Sequence, residues 1–107
     1  MSTTALMVLT TCPDKTMADA IAKRLIETGL AACVQLGQSV ESYYAWQGEV
    51  CQSVEVPLQI KCLAVHYHAI EQVIVELHSY QVPEIIALPI EQGLTTYLKW
   101  IEETAKS

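Results

Sequence analysis

Apolar positions recur along this chain with two different periods. Residues 5–12, "ALMVLTTC", form a nearly continuous apolar run, rich enough in β-branched residues to predict a buried strand. Residues 13–29 change period: Met17, Ile21 and Leu25 fall on one helical face. Thr16 with Asp19 three residues on reads as a capping box, and Gly29 stands where a helix-terminating glycine belongs. "LAACVQL" (30–36) reads as a second strand, "ESYYAW" (41–46) as a third, and Gln47-Gly48 as a turn. Residues 49–62 then alternate. Val50, Val54, Val56, Leu58 and Ile60 point to one face, and Cys51, Ser53, Glu55, Pro57, Gln59 and Lys61 to the other. Pro57 cannot donate a ladder hydrogen bond, so it predicts a bulge or an edge position. Helical period returns over 64–78, with Ile70, Val73, Ile74 and Leu77 on one stripe. A short strand over 83–90 and a terminal helix over 95–106 follow. In that helix Leu98 and Ile101 sit three apart and Thr95 or Thr96 is available as cap.

The order is β-α-β-β-α-β-α, counting 31–46 and 49–62 as two long strands. Its first six elements predict an α+β, ferredoxin-like domain: a four-stranded antiparallel sheet with two helices on one face and an extra C-terminal helix. Only that last helix is left to cover the other face. Open edges and a partly apolar second face invite association with further copies.

Composition sharpens this picture. A chain of 107 residues fits one domain spanning 1–107, yet 51% of its residues are apolar and only 17% charged. So short a monomer has little interior for that much apolar surface, which again predicts an oligomer. The net charge of −6 excludes sequence-independent nucleic-acid binding and a basic membrane-surface helix. No segment has the length of a membrane span, and the N-terminus lacks the pattern of a signal peptide, so cytoplasmic residence is expected. There the four cysteines are expected reduced, and the absence of a CxxC pair argues against structural zinc or a redox motif. Cys33 reads as a small buried hydrophobe. Cys12, before Pro13 at a strand end, reads as the more exposed thiol and a candidate metal ligand.

No GxSxG, P-loop or HExxH pattern is present, so an enzyme is the least supported class. His66 and His68 stand two apart, which on a helix turns them away from each other. Glu55 and Lys61 share a strand face, roughly 20 Å apart, too far to pair within one flat strand. Trp46 stands at a hairpin end, where its ring covers core or interface or forms a pocket wall. The stretch "LHSYQVPEIIALPI" (77–90) sets His78, Tyr80 and Glu84 around Pro83. They either satisfy backbone groups in a helix-to-strand connection or form one wall of a site.

"LAAC" (30–33), "YYAWQGEV" (43–50), Glu55, Lys61, "LHSYQVPEIIALPIEQG" (77–93) and "TYLKWI" together resemble the CutA divalent-cation-tolerance proteins, in order and over essentially the whole chain. The resemblance implies ferredoxin-like subunits similar to the PII signalling proteins, a tight homotrimer, and polar clefts between subunits. The cleft residues it implies are Trp46, Glu55, Lys61, His78, Tyr80 and Glu84. Copper or another divalent cation is the ligand it implies, with His78, Glu55 and Cys12 as candidate metal ligands. Some relatives carry a first-strand cysteine that would fall on Thr10 here, and the usual "HPYE" reads "HSYQ". The expectation is a cytoplasmic homotrimer, not an enzyme, that binds divalent metal at an inter-subunit cleft. The rival expectations are a PII-like signalling trimer that holds a small molecule or anion through Lys61, and a rigid adaptor for an unidentified protein. Neither nucleic acid nor membrane insertion is expected.

Overall fold

A computed structural model describes residues 4–106. The first strand, β1 (Ala5–Cys12), ends at Pro13. Helix α1 (Lys15–Glu27) starts from Asp14, whose side chain accepts the Met17 N–H at 2.9 Å. Asp14 is therefore the cap, and the box expected from Thr16 and Asp19 does not form. Asp19 instead takes the Lys15 ammonium one turn back at 2.9 Å. The helix ends as expected. Gly29 has φ +74°, its N–H reaches the Ile26 carbonyl, and Leu30 N–H reaches the Leu25 carbonyl, which together make a Schellman closure.

The stretches expected as second and third strands are β2 (Ala31–Leu36) and β3 (Val40–Trp46), separate strands rather than the one long strand that a four-stranded count makes of them. Both pair antiparallel with the 15-residue β4 (Glu49–Leu63). The sheet thus has five strands rather than four, in the order β2-β4-β1-β5 with β3 beside β4. The order β2-β4-β1-β5 is the ferredoxin-like arrangement expected. Pro57 lies where β4 changes partner: β2 pairs as far as Leu58 and β3 begins opposite Glu55. On that side its carbonyl accepts the Gly37 N–H at 2.9 Å and no N–H is asked of it, which is how a proline sits inside so long a strand. The bulge is in β2, between Ala31 and Cys33. At the far end Gln47 (φ 52°) and Gly48 (φ 80°) close the β3–β4 hairpin with two positive-φ residues, a type I′ pattern that matches strand twist.

A short 3-10 turn (Ala64–His66) leads into α2 (Tyr67–Leu77), then β5 (Ile85–Pro89) and α3 (Thr95–Thr104). Leu94 precedes α3 with no side-chain cap, so neither Thr95 nor Thr96 plays that part; both lie inside its first turn. Helices α1 and α2 cover one face. Val8, Ile21, Leu25, Leu58, Ile60, Ile70 and Ile74 make a core there in which each is at most 1% exposed. On the opposite face α3 packs Ile101 and Ala105 over Ala5, Ala32 and Leu63.

Beyond this block the β3–β4 hairpin projects as an arm. The radius of gyration, 14.4 Å, exceeds the ~13 Å of a compact chain this long, and the longest dimension is 46 Å. Val50 and Val54 are 85% and 59% exposed, although they continue the alternation that buries Leu58 and Ile60. β1 pairs with β4 only as far as Cys12 opposite Val56. Among the described residues, the β1-side edge of β4 over 49–55 has no strand partner.

Candidate functional site

Where β1 stops, the arm and the α2–β5 connection enclose a half-open cavity of about 830 Å³. Direct pairing across the hairpin sets Ser42, Tyr44 and Trp46 of β3 on the same face as Ser53 and Glu55 of β4. Ser42, Tyr44, Trp46 and Glu55 line the cavity on one side, with Thr11 and Tyr43; residues 79–84 line it on the other. Tyr44 Oη and Ser53 Oγ share a hydrogen bond of 2.7 Å, which tethers one ring to the hairpin. Among the described residues no Lys, Arg or His lines the cavity, whereas Glu55 and Glu84 do.

Glu55 is only 6% exposed. It is the first residue of β4 beyond the end of β1, so its side chain meets the connection rather than a neighbouring strand. Tyr80 reaches it from that connection. Burial, and the hydrogen bond that the phenol donates to the Glu55 carboxylate, push the Tyr80 hydroxyl up to about 12. Tyr80 therefore stays a donor throughout the physiological range.

His78 holds the connection in place. It caps the end of α2, and its N–H bonds the Ile74 carbonyl at 2.8 Å. Its Nδ1 accepts the Tyr80 N–H at 3.0 Å, so Nε2 carries the hydrogen and donates it to the Thr11 carbonyl at 2.7 Å. The ring also packs against Tyr80, with centroids 4.7 Å apart. The imidazole thus links the end of α2 to the end of β1 with both nitrogens engaged.

The expected site residues divide accordingly. Trp46, Glu55, Tyr80 and Glu84 converge on the cavity, and His78 stands behind it. Lys61 does not reach it: its ammonium donates to Gln35 Oε1 at 2.6 Å, across the β2–β4 ladder on the body of the sheet. Cys12, expected to be the exposed thiol, is fully buried in the helix-covered core, while Cys33 is only half buried. Burial first, then the carboxylates of Asp14 and Glu55, push the Cys12 thiol up to about 11. A protonated, buried thiol is a poor metal ligand. Cys12, Glu55 and His78 do not form a metal centre within the subunit; among the described residues no group of three His, Cys, Asp or Glu is placed to hold an ion. His78 would have to release one of its two hydrogen bonds to offer a lone pair.

Tyr43 and Tyr44 join the site without being singled out by the sequence pattern. A signal for one of them is present: period 2 places Tyr44 and Trp46 side by side on a single hairpin face. What the pattern lacks is the connection that folds over that face from more than thirty residues further along the chain.

Comparison with known proteins gives a consistent result. The family model for the CutA1 divalent ion tolerance protein matches residues 6–104. The divalent-cation tolerance protein CutA of Thermus thermophilus is 42% identical over 91% of this chain and 94% of its own. The crystal structure of CutA1 from the psychrotrophic bacterium Shewanella sp. SIB1 superimposes with a TM-score of 0.93, at 52% identity and 96% coverage of both chains. The periplasmic divalent cation tolerance protein CutA of Archaeoglobus fulgidus superimposes with a TM-score of 0.92, at 34% identity over 95% of this chain and 99% of its own. A sheet of this order, a projecting hairpin and a match across nearly the whole length place this chain in the CutA1 divalent ion tolerance family.

Proposed function

We propose that the protein acts as a homotrimer that binds a divalent cation, copper first, in the cavity beside Glu55, as part of the response to metal ions. The observation that carries this reading is Glu55 itself. It is a buried carboxylate with no cationic side chain among the described residues of its cavity, and it stands where the unpaired edge of β4 begins. A buried charge calls for a counter-charge, and an open strand edge calls for a neighbour. A ring of subunits supplies the neighbour at the place where the cation would sit.

Two dissimilar apolar surfaces support a ring. The arm shows Tyr43, Val50 and Val54, while α3 and β5 show Trp100, Ile86 and Leu88, the last two half exposed. Unlike surfaces meet head to tail, and a trimer is a small ring that such heterologous contacts close. Glu55 and Glu84 supply oxygen donors. The remaining donors come from the neighbouring subunit, because one subunit does not complete a set.

Sedimentation at micromolar concentration with a copper(II) titration tests both halves. A trimer whose copper affinity falls in Glu55→Gln is the expected result. Unchanged affinity removes Glu55 from the metal site, and a stable single chain removes the inter-subunit cleft. Within the subunit Lys61 bonds Gln35 away from the cavity, so the rival anion-binding reading needs a cation from a neighbouring subunit. Cytoplasmic residence belongs to the proposal too. Four free cysteines suit a reducing compartment, whereas the Archaeoglobus fulgidus relative is periplasmic, and cell fractionation decides between them.

A further inference from the structure

The cavity is far larger than a metal ion, and its walls are mostly not ligands. Three of the chain's seven Tyr and Trp residues, Tyr44, Trp46 and Tyr80, turn toward this one space. Aromatic rings offer no lone pairs of the kind a divalent metal needs, but their faces carry partial negative charge. Glu55 and Glu84 add two carboxylates, and no Lys, Arg or His among the described residues offsets them. The volume, about 830 Å³, lies in the range of sites that hold small organic ligands.

From this the geometry points to a second ligand class: a small organic cation, a quaternary or protonated amine, seated against the rings of Tyr44, Trp46 and Tyr80 with its charge toward Glu55. Among the described residues of one subunit an anion finds no counter-charge here. A neutral ligand would leave the buried Glu55 carboxylate without a counter-charge, at a cost. A bare metal ion would leave most of the aromatic wall unused. An alkylammonium satisfies both features at once, because its charge is spread over carbon-bound hydrogens that rest on ring faces while the carboxylates neutralise it. The arrangement is fixed before binding. Tyr44 is tied to Ser53, and Tyr80 is held by its own N–H on His78 and its hydroxyl on Glu55. A preset site loses little conformational freedom when its ligand arrives.

The inference rests on the preceding reading only in placing the ligand in this cavity, so the two can fail separately. The test is calorimetric titration of the full-length, assembled protein with choline and with its neutral isostere 3,3-dimethylbutan-1-ol, which has the same shape without the charge. Choline is expected to bind at least about tenfold more tightly than the isostere. Glu55→Gln is expected to weaken choline about tenfold. Trp46→Leu, at an exposed hairpin end where folding tolerates change, is expected to weaken it about fivefold. Equal affinity for choline and the isostere, no heat from choline at tens of millimolar, or a Trp46→Leu variant that binds choline unchanged would each overturn the inference. Copper(II) binding without choline binding defeats it and leaves the metal reading intact. Choline binding without copper binding does the reverse.

Discussion

The two halves of β4 carry one pattern and meet opposite fates. From Val56 to Cys62 its even-numbered residues face α1 and α2, and Leu58, Ile60 and Cys62 are at most 1% exposed. On the arm Val50 and Val54, of the same parity and the same kind of side chain, are 85% and 59% exposed. Alternation reports that a face is apolar and is silent on what covers it. In the body the cover is local: helices joined to the sheet by short connections. On the arm no described residue of the chain covers that face fully, and the cavity on the arm's other face opens at the point where one regime gives way to the other.

The sharpest way to break this contrast is to truncate one residue from each half. Ile60→Ala is expected to cost about 3 kcal/mol in denaturant unfolding, because a buried methyl-rich side chain leaves a cavity behind. Val50→Ala, 85% exposed, should cost under about 0.5 kcal/mol in subunits diluted until they separate. If Val50→Ala matched Ile60→Ala at every concentration, the arm would be covered within its own chain. Val54→Asp adds a charge to the bare face. It should weaken subunit association at least about tenfold, read by sedimentation, while leaving the fold of the body unchanged.

A smaller effect is expected inside the body. Thr10 is 1% exposed between Leu58 and Ile85, and its hydroxyl has no partner among the described residues. Thr10→Val keeps the shape and removes the unsatisfied group, so it should raise stability by about 1 kcal/mol by chemical denaturation. The smallest effects concern pH. The Tyr80 phenol is held protonated in the folded state, up to about 12, so the contribution of this group is complete below its ordinary value near 10. It is lost as pH rises from there through about 12. Cys12 behaves alike between its ordinary value of 9.0 and about 11. An ultraviolet titration should show one tyrosine ionising last, and Tyr80→Phe should remove that step. Labelling with a thiol reagent near pH 8 should find Cys51 and Cys33 reactive, and Cys12 and Cys62 slow.

Much of the fold is legible in the sequence because local rules agree with tertiary ones. Ile21 and Leu25 on α1, and Ile70 and Ile74 on α2, fall on the stripes that become core. Gly29 ends its helix and Gln47-Gly48 turns its hairpin by backbone conformations that the residue types announce. Where the sequence misleads, neighbours compete. Asp14 outcompetes Thr16 as a cap because it stands one residue before the first turn, with its carboxylate already aimed at Met17 N–H. The place of Cys12 before Pro13 suggests exposure, but strand parity sets it on the Val8 face and the helices close over it. The cavity is half legible. Trp46, Glu55, Tyr80 and Glu84, expected in an inter-subunit cleft, line one cavity of the single subunit; Lys61, expected with them, lies far along β4 and bonds Gln35 within that subunit.

By itself, then, the sequence determined the succession of elements, which side of each is apolar, and the presence of more apolar surface than one small subunit hides. Those are properties of period and residue type, carried within a few residues. Only the tertiary structure decided that β1 ends one residue short of Glu55, that the α2–β5 connection swings over the hairpin, and that His78 locks it there by two hydrogen bonds. Such facts depend on strand register and on contacts between residues up to sixty-seven positions apart. No local period encodes them.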